Sequence, residues 1–383
     1  MENTGLKNRG NQRSDVDDRR KAVEKLVNKE LKSISDYSFD PAAASKNIEN
    51  MIGVTQIPLG FAGPVKINGE YAKGDFIVPM ATTEGALVAS VARGMSLITA
   101  SGGANVKVFK DAMTRAPVFR VKGIEHSSDV MKWISGNMKK IGDAVGKTTS
   151  HGKLMNIETF PNGRSLFVRM SYDTGDAMGM NMVTIATEAV CRIIEKETGA
   201  ALVSVSGNMC TDKKPAWINA IGGRGKTVVA ESLISRKIIE TKLHTSVESV
   251  IETNTRKNLI GSSMAGSAGH NAHAANMVAA LYIATGQDPA QVVEASMTMT
   301  VCESVDGDLY ISVRMPSVEV GTVGGGTRLP CQTEALEIMD CSGNGKARKL
   351  AEIVAVTVLA GELSTLGAQA AGHLGKAHSE LGR

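Results

Sequence analysis

Aromatic side chains are scarce in this sequence, and several other common features are missing. Only 4% of the 383 residues are Phe, Trp or Tyr, so the core has to be built mainly from aliphatic residues and Met. The five cysteines include no Cys-x-x-Cys pair, which fits neither a disulfide framework nor a zinc site and indicates a reducing compartment. The 43 Lys and Arg residues exceed the 39 Asp and Glu residues by only four. That excess is too small to indicate a nucleic-acid partner, though it suits an anionic small substrate.

Apolar runs that could cross a membrane or direct secretion are also lacking. Residues 1–21 are charged and contain no apolar run, so they do not form a signal peptide. The most apolar long stretch, Leu350–Gly372, carries Glu352 and Glu362, and we interpret it as a buried helix. We therefore expect a soluble, cytoplasmic protein without a membrane anchor.

The order of predicted elements indicates an α/β (α+β) protein with an insertion. Apolar residues (42%) and charged residues (21%) are at globular levels. Residues 117–205 have the order β-α-β-β-α-β of a ferredoxin-like unit, with a hairpin at Pro161-Asn162-Gly163. We predict a small helical N-terminal region at 1–52, a large mixed α/β domain at 53–116 and 206–383, and an inserted ferredoxin-like βαββαβ domain at 117–205.

Further elements are predicted on either side of the insertion. A short helix is expected near 42–51, and helices near 228–256, 271–285 and 289–295 are expected after it, followed by a strand pair across 296–315.

Two glycine-rich segments are candidates for binding phosphate groups. Gly175–Met182 (GDAMGMNM) lies between a predicted strand and a predicted helix, where free N–H groups suit a pyrophosphate. The pattern alone also fits the start of a Met-rich core helix. Gly321–Thr327 (GTVGGGT) could cradle phosphates or form a bare turn. GGRGKT at 222–227 is not a P-loop, because the glycine six residues before the lysine is missing.

A few titratable residues occupy positions that could carry chemistry. Glu84 follows a predicted strand, and Asp288 precedes a proline, where each could equally be a helix cap. Asp212 and Lys213 stand on a charged loop, SGNMCTDKKPAW, after a buried strand; a catalytic loop and a solvated charge run are both open there. His378 lies in a polar C-terminal stretch, and a closing tail that delivers an acid is one interpretation. The histidine spacings indicate no metal site.

Eight blocks of sequence resemble, in order, 3-hydroxy-3-methylglutaryl-coenzyme A (HMG-CoA) reductases, and the resemblance runs from about residue 20 to the last residue. The blocks are similar to those of the class I branch of this family, in its soluble archaeal or bacterial form. The blocks are ENMIG at 49–53, PMATTEGALVAS at 79–90, DAMTRAPVFR at 111–120, DAMGMNM at 176–182, SGNMCTDKKPA at 206–216, GSAGHNAHAANMVAALYIATGQDPAQ at 266–291, DLYISVRMPSVEVGTVGGGT at 308–327 and AGHLGKAH at 371–378.

The resemblance implies that two NADPH reduce HMG-CoA to mevalonate and coenzyme A by way of mevaldyl-CoA and mevaldehyde. It places Glu84, Lys213, Asp288 and His378 on catalytic positions. Lys213 would stabilise the oxyanion that forms on the thioester carbonyl, and Asp288 would keep Lys213 charged and Glu84 protonated. Glu84 would supply a proton as the aldehyde becomes an alcohol. His378 would protonate the coenzyme A thiolate. The resemblance also implies a homodimer or homotetramer with shared active sites.

Binding positions carry over from the family in the same way. The positions that match substrate or coenzyme A contacts are Ser90, Arg93, Arg115, Ser206, Asp212, Lys214, Lys237 and Asn276. The positions that match contacts of the dinucleotide, bound by the inserted domain, are Ser150, His151, Asp176, Met178, Gly179, Met180, Asn181, Gly324, Gly325 and Arg383.

One departure from the family pattern concerns the 2′-phosphate of the cofactor. Many relatives have Ser-Arg where this chain has Ser150-His151, and His is a poorer phosphate clamp than Arg near neutral pH. Lys153 or Arg383 could compensate, and NADPH stays the expected cofactor. Two other functions are weighed: a degradative reductase that oxidises mevalonate with NAD, and a non-catalytic acyl-CoA-binding module. The TDKKPA and NAHAAN blocks favour the biosynthetic branch, and the four catalytic side chains disfavour the module.

Overall fold

The strands of the described residues join into one ten-stranded sheet with helices packed against it. A computed structural model describes residues 10–372. The strands are β1 (Leu59–Gly69), β2 (Lys73–Ala81), β3 (Ala104–Arg115), β4 (Val118–Arg120), β5 (Lys153–Asn162), β6 (Ser165–Asp173), β7 (Ala201–Ser204), β8 (Gly225–Ile234), β9 (Met299–Val305) and β10 (Asp308–Val318).

The helices of residues 10–372 differ widely in length, and the longest of them, with 24 residues, ends at Ala370. The α-helices are α1 (Arg13–Val27), α2 (Lys32–Ser35), α3 (Leu87–Ala100), α4 (Ile124–Gly136), α5 (Met138–Gly146), α6 (Met180–Thr198), α7 (Trp217–Gly222), α8 (Arg236–Ile238), α9 (Val247–Thr253), α10 (Ser262–Met264), α11 (Ala274–Thr285), α12 (Val292–Ala295), α13 (Pro330–Ile338) and α14 (Ala347–Ala370). Short 3-10 helices cover Pro41–Ala44, Pro289–Gln291 and Gly325–Arg328, and π-helical segments cover Ile239–Leu243 and Asn254–Gly261.

The strand order confirms a mixed α/β fold with a largely antiparallel sheet. From edge to edge the main path is β7-β4-β6-β3-β8-β10-β9, while β5 pairs with β6, and β1 pairs with β2 and β3. Within 117–205 the strands lie in the order β7-β4-β6-β5, and each neighbouring pair is antiparallel. Because β3 pairs with both β6 and β8, one sheet runs through both regions of the chain.

Two large apolar cores lie against this sheet. One gathers buried residues between Met113 and Ala200, and it packs the strands of the 117–205 region against α4, α5 and α6. The other, between Ala62 and Leu366, surrounds α14. Helix α14 is the one helix of the described residues that is long and apolar enough to cross a membrane, yet 94% of its most apolar window is buried within the protein. The prediction of a buried helix there is confirmed.

Two predicted helices are wrong. The first part of the predicted helix at 228–256 is the central strand β8, with only short helical segments after it. Its Val228 and Val229 favour an extended backbone between β3 and β10, whose pairing supplies the hydrogen bonds. The predicted helix near 42–51 is a single 3-10 turn, Pro41–Ala44, capped by Asp40, whose carboxylate accepts the N–H of Ala42.

Candidate active site

A lysine–aspartate ion pair lies where the charged loop meets the segment after α11. Lys213 Nζ lies 3.0 Å from Asp288 Oδ2, and this hydrogen bond raises the pKa of Lys213. The lysine therefore stays protonated at neutral pH. It is also about half exposed, with 45% of its side chain accessible. A fixed, solvent-reachable ammonium can stabilise negative charge that develops on a substrate oxygen.

The residues next to Lys213 form a polar cluster on the same loop, which we call the lysine loop (residues 206–216). Asp212 accepts hydrogen bonds from Arg224 (3.0 Å) and Gln291 (2.9 Å), and Arg115 Nη1 lies 3.8 Å from its carboxylate. Burial alone would raise the pKa of Asp212, but the charge of Arg224 and these bonds hold it below its ordinary value. A half-buried, ionised carboxylate thus organises the cations around it.

The other predicted substrate contacts on this side are close to the same cluster. Ser206 Oγ lies 3.5 Å from Cys210 Sγ, and Arg115 Nη1 lies 4.0 Å from that sulfur. Lys214 Nζ donates to the carbonyl of Asp212 at 3.0 Å. The structure therefore brings Arg115, Ser206 and the Asp212–Lys214 run together around one loop.

A second group of predicted residues lines a different cavity, which we call the glutamate cavity. Glu84 accepts a hydrogen bond of 3.1 Å from Asn276 Nδ2. Ser90 Oγ and Arg93 Nε each lie 2.9 Å from Ser364 Oγ on α14. The cavity has a volume of about 300 Å³, and it is lined by Glu84, Gly85, Ala86, Leu87, Ala89, Ser90, Arg93, Lys257, Ala272, His273, Asn276, Thr365, Ala368 and Gln369.

A third feature, the glycine cavity, lies at the N-terminus of α6. Gly179 immediately precedes this 19-residue helix with φ of 90°; because it has no capping side chain, N–H groups of the first turn can bind an anion. The cavity has a volume of about 530 Å³, and it is lined by Asn47, Ala177–Met182, Gly286, Gln287, Asp288, Pro289, Gly321, Val323, Gly324, Gly325, Gly326 and Thr327. Open glycine backbone, a helix N-terminus and this volume fit the pyrophosphate part of a dinucleotide.

Asp288 connects the glycine cavity to the lysine loop. It lines the cavity and also binds Lys213 Nζ. Predicted cofactor residues Met178, Gly179, Met180 and Asn181 share the cavity with Gly324 and Gly325. A reducing cofactor in this cavity would therefore lie beside the charged lysine.

Several predicted residues do not line either cavity. The carboxylate of Asp176 accepts the N–H groups of Gly345 (2.7 Å) and Ala347 (3.1 Å) at the start of α14, so its observed bonds are structural. Ser150 and His151 lie in the loop before β5. In that loop Thr149 Oγ1 is 3.0 Å from Sδ of Met182, a residue that lines the glycine cavity.

Of three more predicted residues, one stands apart from both cavities and two are not described by the structure. Lys237 lies on α8 and lines neither cavity. His378 and Arg383 lie outside the described residues. The parts predicted for these three residues stay predictions.

The buried neighbours of the lysine loop were missed by sequence reasoning. Arg224, in the GGRGKT segment, has no accessible side-chain surface and lies 2.7 Å from Glu294 and 3.3 Å from Glu319. Burial would lower the pKa of Arg224, but the charges of Glu319 and Glu294 raise it. The three-residue spacing of Asp288, Gln291 and Glu294 is the sequence signal that could have found part of this cluster.

A charged lysine beside a glycine-lined cavity at a helix N-terminus is an arrangement suited to an α/β oxidoreductase that uses a dinucleotide. The family model described as hydroxymethylglutaryl-coenzyme A reductase matches residues 15–383. The 3-hydroxy-3-methylglutaryl-coenzyme A reductase of Methanocaldococcus jannaschii is 55% identical over 95% of this chain and 92% of its own length. That of Pyrococcus horikoshii is 54% identical over 98% of this chain and 93% of its own length.

A solved structure shows the same fold at much lower identity. The class II 3-hydroxy-3-methylglutaryl-CoA reductase of Streptococcus pneumoniae, bound to NADPH in open conformations, superposes with a TM-score of 0.72. It is 18% identical, and the match covers 92% of this chain and 96% of that one. The chain belongs to the hydroxymethylglutaryl-coenzyme A reductase family. Its function is HMG-CoA reduction in the mevalonate pathway.

Proposed function

We propose that this chain works in the biosynthetic direction, as a soluble, cytoplasmic reductase of the class I type. Two NADPH reduce one HMG-CoA to mevalonate and free coenzyme A, a four-electron reduction. The observation that carries the proposal is the Lys213–Asp288 ion pair at the edge of the glycine cavity. NADPH, when bound, supplies a hydride in each of the two reductive steps.

Lys213 is the proposed electrophile of both reductive steps. Its ammonium binds the thioester carbonyl oxygen and later the aldehyde oxygen, where negative charge develops as the carbonyl carbon is reduced. Asp288 holds this ammonium in place and protonated through the 3.0 Å contact. Arg115 and Lys214 lie around the same loop and are the proposed partners of the substrate carboxylate.

Glu84 and His378 are the proposed proton donors. Glu84 protonates the oxygen as mevaldehyde becomes an alcohol, and Asn276 orients its carboxyl group at 3.1 Å. His378 protonates the coenzyme A thiolate so that the thiolate cannot attack mevaldehyde again. Ser90 and Arg93, in the cavity that contains Glu84, are the proposed coenzyme A contacts.

The glycine cavity is the proposed site of NADPH. Gly179 and the first turn of α6 bind the pyrophosphate, and Gly324 and Gly325 give the cofactor room to approach the backbone. The 117–205 region, which contributes α6, is the proposed dinucleotide domain. Ser150 and His151 are the proposed contacts of the 2′-phosphate, with Arg383 from the C-terminus, and the loop–Met182 contact supports that side of the cavity.

The separation of Glu84 from Lys213 supports an active site shared between two copies of the chain. Within one protomer, Glu84 lines the glutamate cavity, whereas Lys213 binds Asp288 at the glycine cavity. We propose that the partner in a homodimer, or in a homotetramer built of such dimers, supplies the glutamate cavity next to Lys213. The like-charge effect of Asp288 on Glu84 then acts across the interface.

A direct assay tests this function. The purified protein is mixed with HMG-CoA and NADPH, and the absorbance of the reduced nicotinamide is followed together with the release of free thiol. We expect two NADPH to be consumed for each thiol released. Oxidation of mevalonate with NAD and coenzyme A as the faster reaction would contradict the biosynthetic direction.

A further inference from the structure

Three side chains on one short helical segment contact the lysine loop. Asp288, Gln291 and Glu294 follow each other at intervals of three residues along the 3-10 turn Pro289–Gln291 and α12, so they face the same side. Asp288 binds Lys213 Nζ, Gln291 Nε2 donates to Asp212 at 2.9 Å, and Glu294 Oε1 accepts the backbone N–H of Lys213 at 2.9 Å. The segment therefore binds both the head group and the backbone of the lysine.

The backbone of the lysine loop needs such contacts because its conformation is unfavourable. Lys213 has φ of 60°, Thr211 has φ of 54° and Asn208 has φ of 63°. Residues other than glycine adopt this left-handed region only when surrounding contacts stabilise it. At Lys213 the backbone N–H bond is to Glu294, a residue 81 positions away in the chain.

Arg224 connects Glu294 to the rest of the loop. This fully buried guanidinium bonds Glu294 Oε1 at 2.7 Å, Gln291 Oε1 at 3.0 Å and Asp212 Oδ1 at 3.0 Å. The same carboxylate oxygen of Glu294 thus accepts from Arg224 and from Lys213. A displacement of Glu294 would therefore disturb both the backbone of Lys213 and Arg224, which donates to Asp212.

The stability of the fold alone does not explain why a carboxyl group occupies position 294. Glu294 is completely buried, and its Oε2 has no hydrogen-bond partner among the described residues. Glu319, also buried, competes for the same guanidinium. An unpaired buried carboxylate oxygen costs folding free energy, and apolar residues of similar volume are often as good or better at such positions.

We propose that Glu294 is a positioning residue for the reduction: it fixes the backbone of Lys213 so that the ammonium lies against Asp288 and the substrate oxygen. The proposal rests on the catalytic role proposed for Lys213. It assigns to Glu294 no contact with substrate or cofactor. Its effect is on the placement of the lysine, and a misplacement on the order of 1 Å can cost about 100-fold in turnover.

Steady-state kinetics of two variants test this role. Glu294→Met keeps the length of the side chain and removes the acceptor, whereas Glu294→Gln keeps an oxygen that can accept the Lys213 N–H. We expect Glu294→Met to lower kcat about tenfold or more with the KM for NADPH nearly unchanged, and Glu294→Gln to stay within about threefold of the wild type. The exposed Glu337, changed to Met, is the matched control.

Other outcomes distinguish a failure of the positioning role of Glu294 from a failure of the catalytic role of Lys213. Wild-type kcat in Glu294→Met overturns the positioning role, and so does an equal loss in the Met and Gln variants. Activity that survives in Lys213→Met instead refutes the catalytic role of the lysine. If Glu294→Met does not fold, hydrogen exchange of the wild-type protein decides: slow exchange of the Lys213 amide supports the bond to Glu294, and exchange as fast as in a free peptide overturns it.

Discussion

At the scale of single residues, Lys213 combines accessibility with a fixed partner. Its side chain is about half exposed, so a substrate can reach it, while Asp288 holds the ammonium at 3.0 Å. Lysine is usually a mobile surface cation, and that mobility is reduced here by contacts at both its head group and its backbone. The protein therefore holds Lys213 at both its head group and its backbone, as the catalytic role proposed for this residue requires.

Replacing this lysine tests the oxyanion role. We expect Lys213→Met to lower kcat at least about 100-fold, as removal of an oxyanion-stabilising donor does, with a smaller change in HMG-CoA binding. Lys73→Met, at an exposed position on β2, is the control and should leave kcat unchanged. Turnover of Lys213→Met within a few-fold of the wild type would refute the role.

His151 is the residue on which cofactor preference is expected to depend. A neutral imidazole binds a phosphate weakly, and a charged one binds it well. If His151 binds the 2′-phosphate, the preference for NADPH over NADH should therefore be higher in acidic buffer than in alkaline buffer. His151→Arg should raise that preference at high pH, and His151→Ala should remove the pH dependence. An NADPH/NADH ratio that is the same from about pH 6 to about pH 8 in the wild type would mean that another group binds the 2′-phosphate.

At the scale of elements, the sequence predicted most strands and helices that carry motifs. The hairpin of β5 and β6 and the helix after Gly179 were predicted from turn residues and apolar periodicity. Strand β8 was mistaken for a helix because its apolar residues Val229, Ala230, Leu233 and Ile234 also have helical spacing. In so short a segment, periodicity does not separate a central strand from a buried helix. The buried Arg224–Glu294 contact joins residues 70 positions apart, and only tertiary packing creates it.

The glycine-rich segment after β10, which lines the glycine cavity, gives a test of the cofactor site. Gly325 has φ of 55°, and a Cβ there would meet no atom within 4 Å, so an alanine methyl group would point into open space at the glycine cavity. We expect Gly325→Ala to raise the KM for NADPH several-fold and leave that for HMG-CoA nearly unchanged.

Gly163 provides a control with matched backbone strain. It has φ of 57° and is equally open, but it lies in the β5–β6 turn. Gly163→Ala should therefore introduce the same backbone strain but leave the KM for NADPH unchanged. Equal changes in the two variants would place the cofactor elsewhere.

At the scale of the whole molecule, one sheet joins the 117–205 region, which contributes the N-terminus of α6 to the glycine cavity, to the region that contains the lysine loop. Burial raises the pKa of both Glu294 and Glu319 above their ordinary values. The folded chain therefore binds more protons than the unfolded chain above the ordinary glutamate pKa of about 4.3. Stability must then fall as the pH rises through that window.

The melting temperature measured against pH checks this expectation. Between about pH 5 and about pH 8, the wild type should lose about 2 °C or more relative to Glu294→Gln, which cannot ionise at that position. Glu337→Gln should follow the wild type. Parallel curves for the wild type and Glu294→Gln would show that Glu294 stays ionised throughout.

Because Glu84 and Lys213 lie at different cavities of one protomer, oligomers that mix two variants can show whether the active site is shared. If Glu84 and Lys213 act in one site from different protomers, Glu84→Gln and Lys213→Met homodimers each lack one group in both sites. A heterodimer of the two variants contains one site with both changes and one intact site. If each protomer carried its own complete site, both sites of the heterodimer would be defective.

Co-expression of Glu84→Gln and Lys213→Met with different affinity tags is therefore the most direct test of a reductase whose lysine and glutamate meet at an interface. HMG-CoA-dependent NADPH oxidation is measured for each variant alone, for doubly purified heterodimers, and for the wild type. The shared site predicts nearly inactive single variants and heterodimers with about half of the wild-type activity, one intact site in two. Heterodimers as inactive as either variant alone would contradict it.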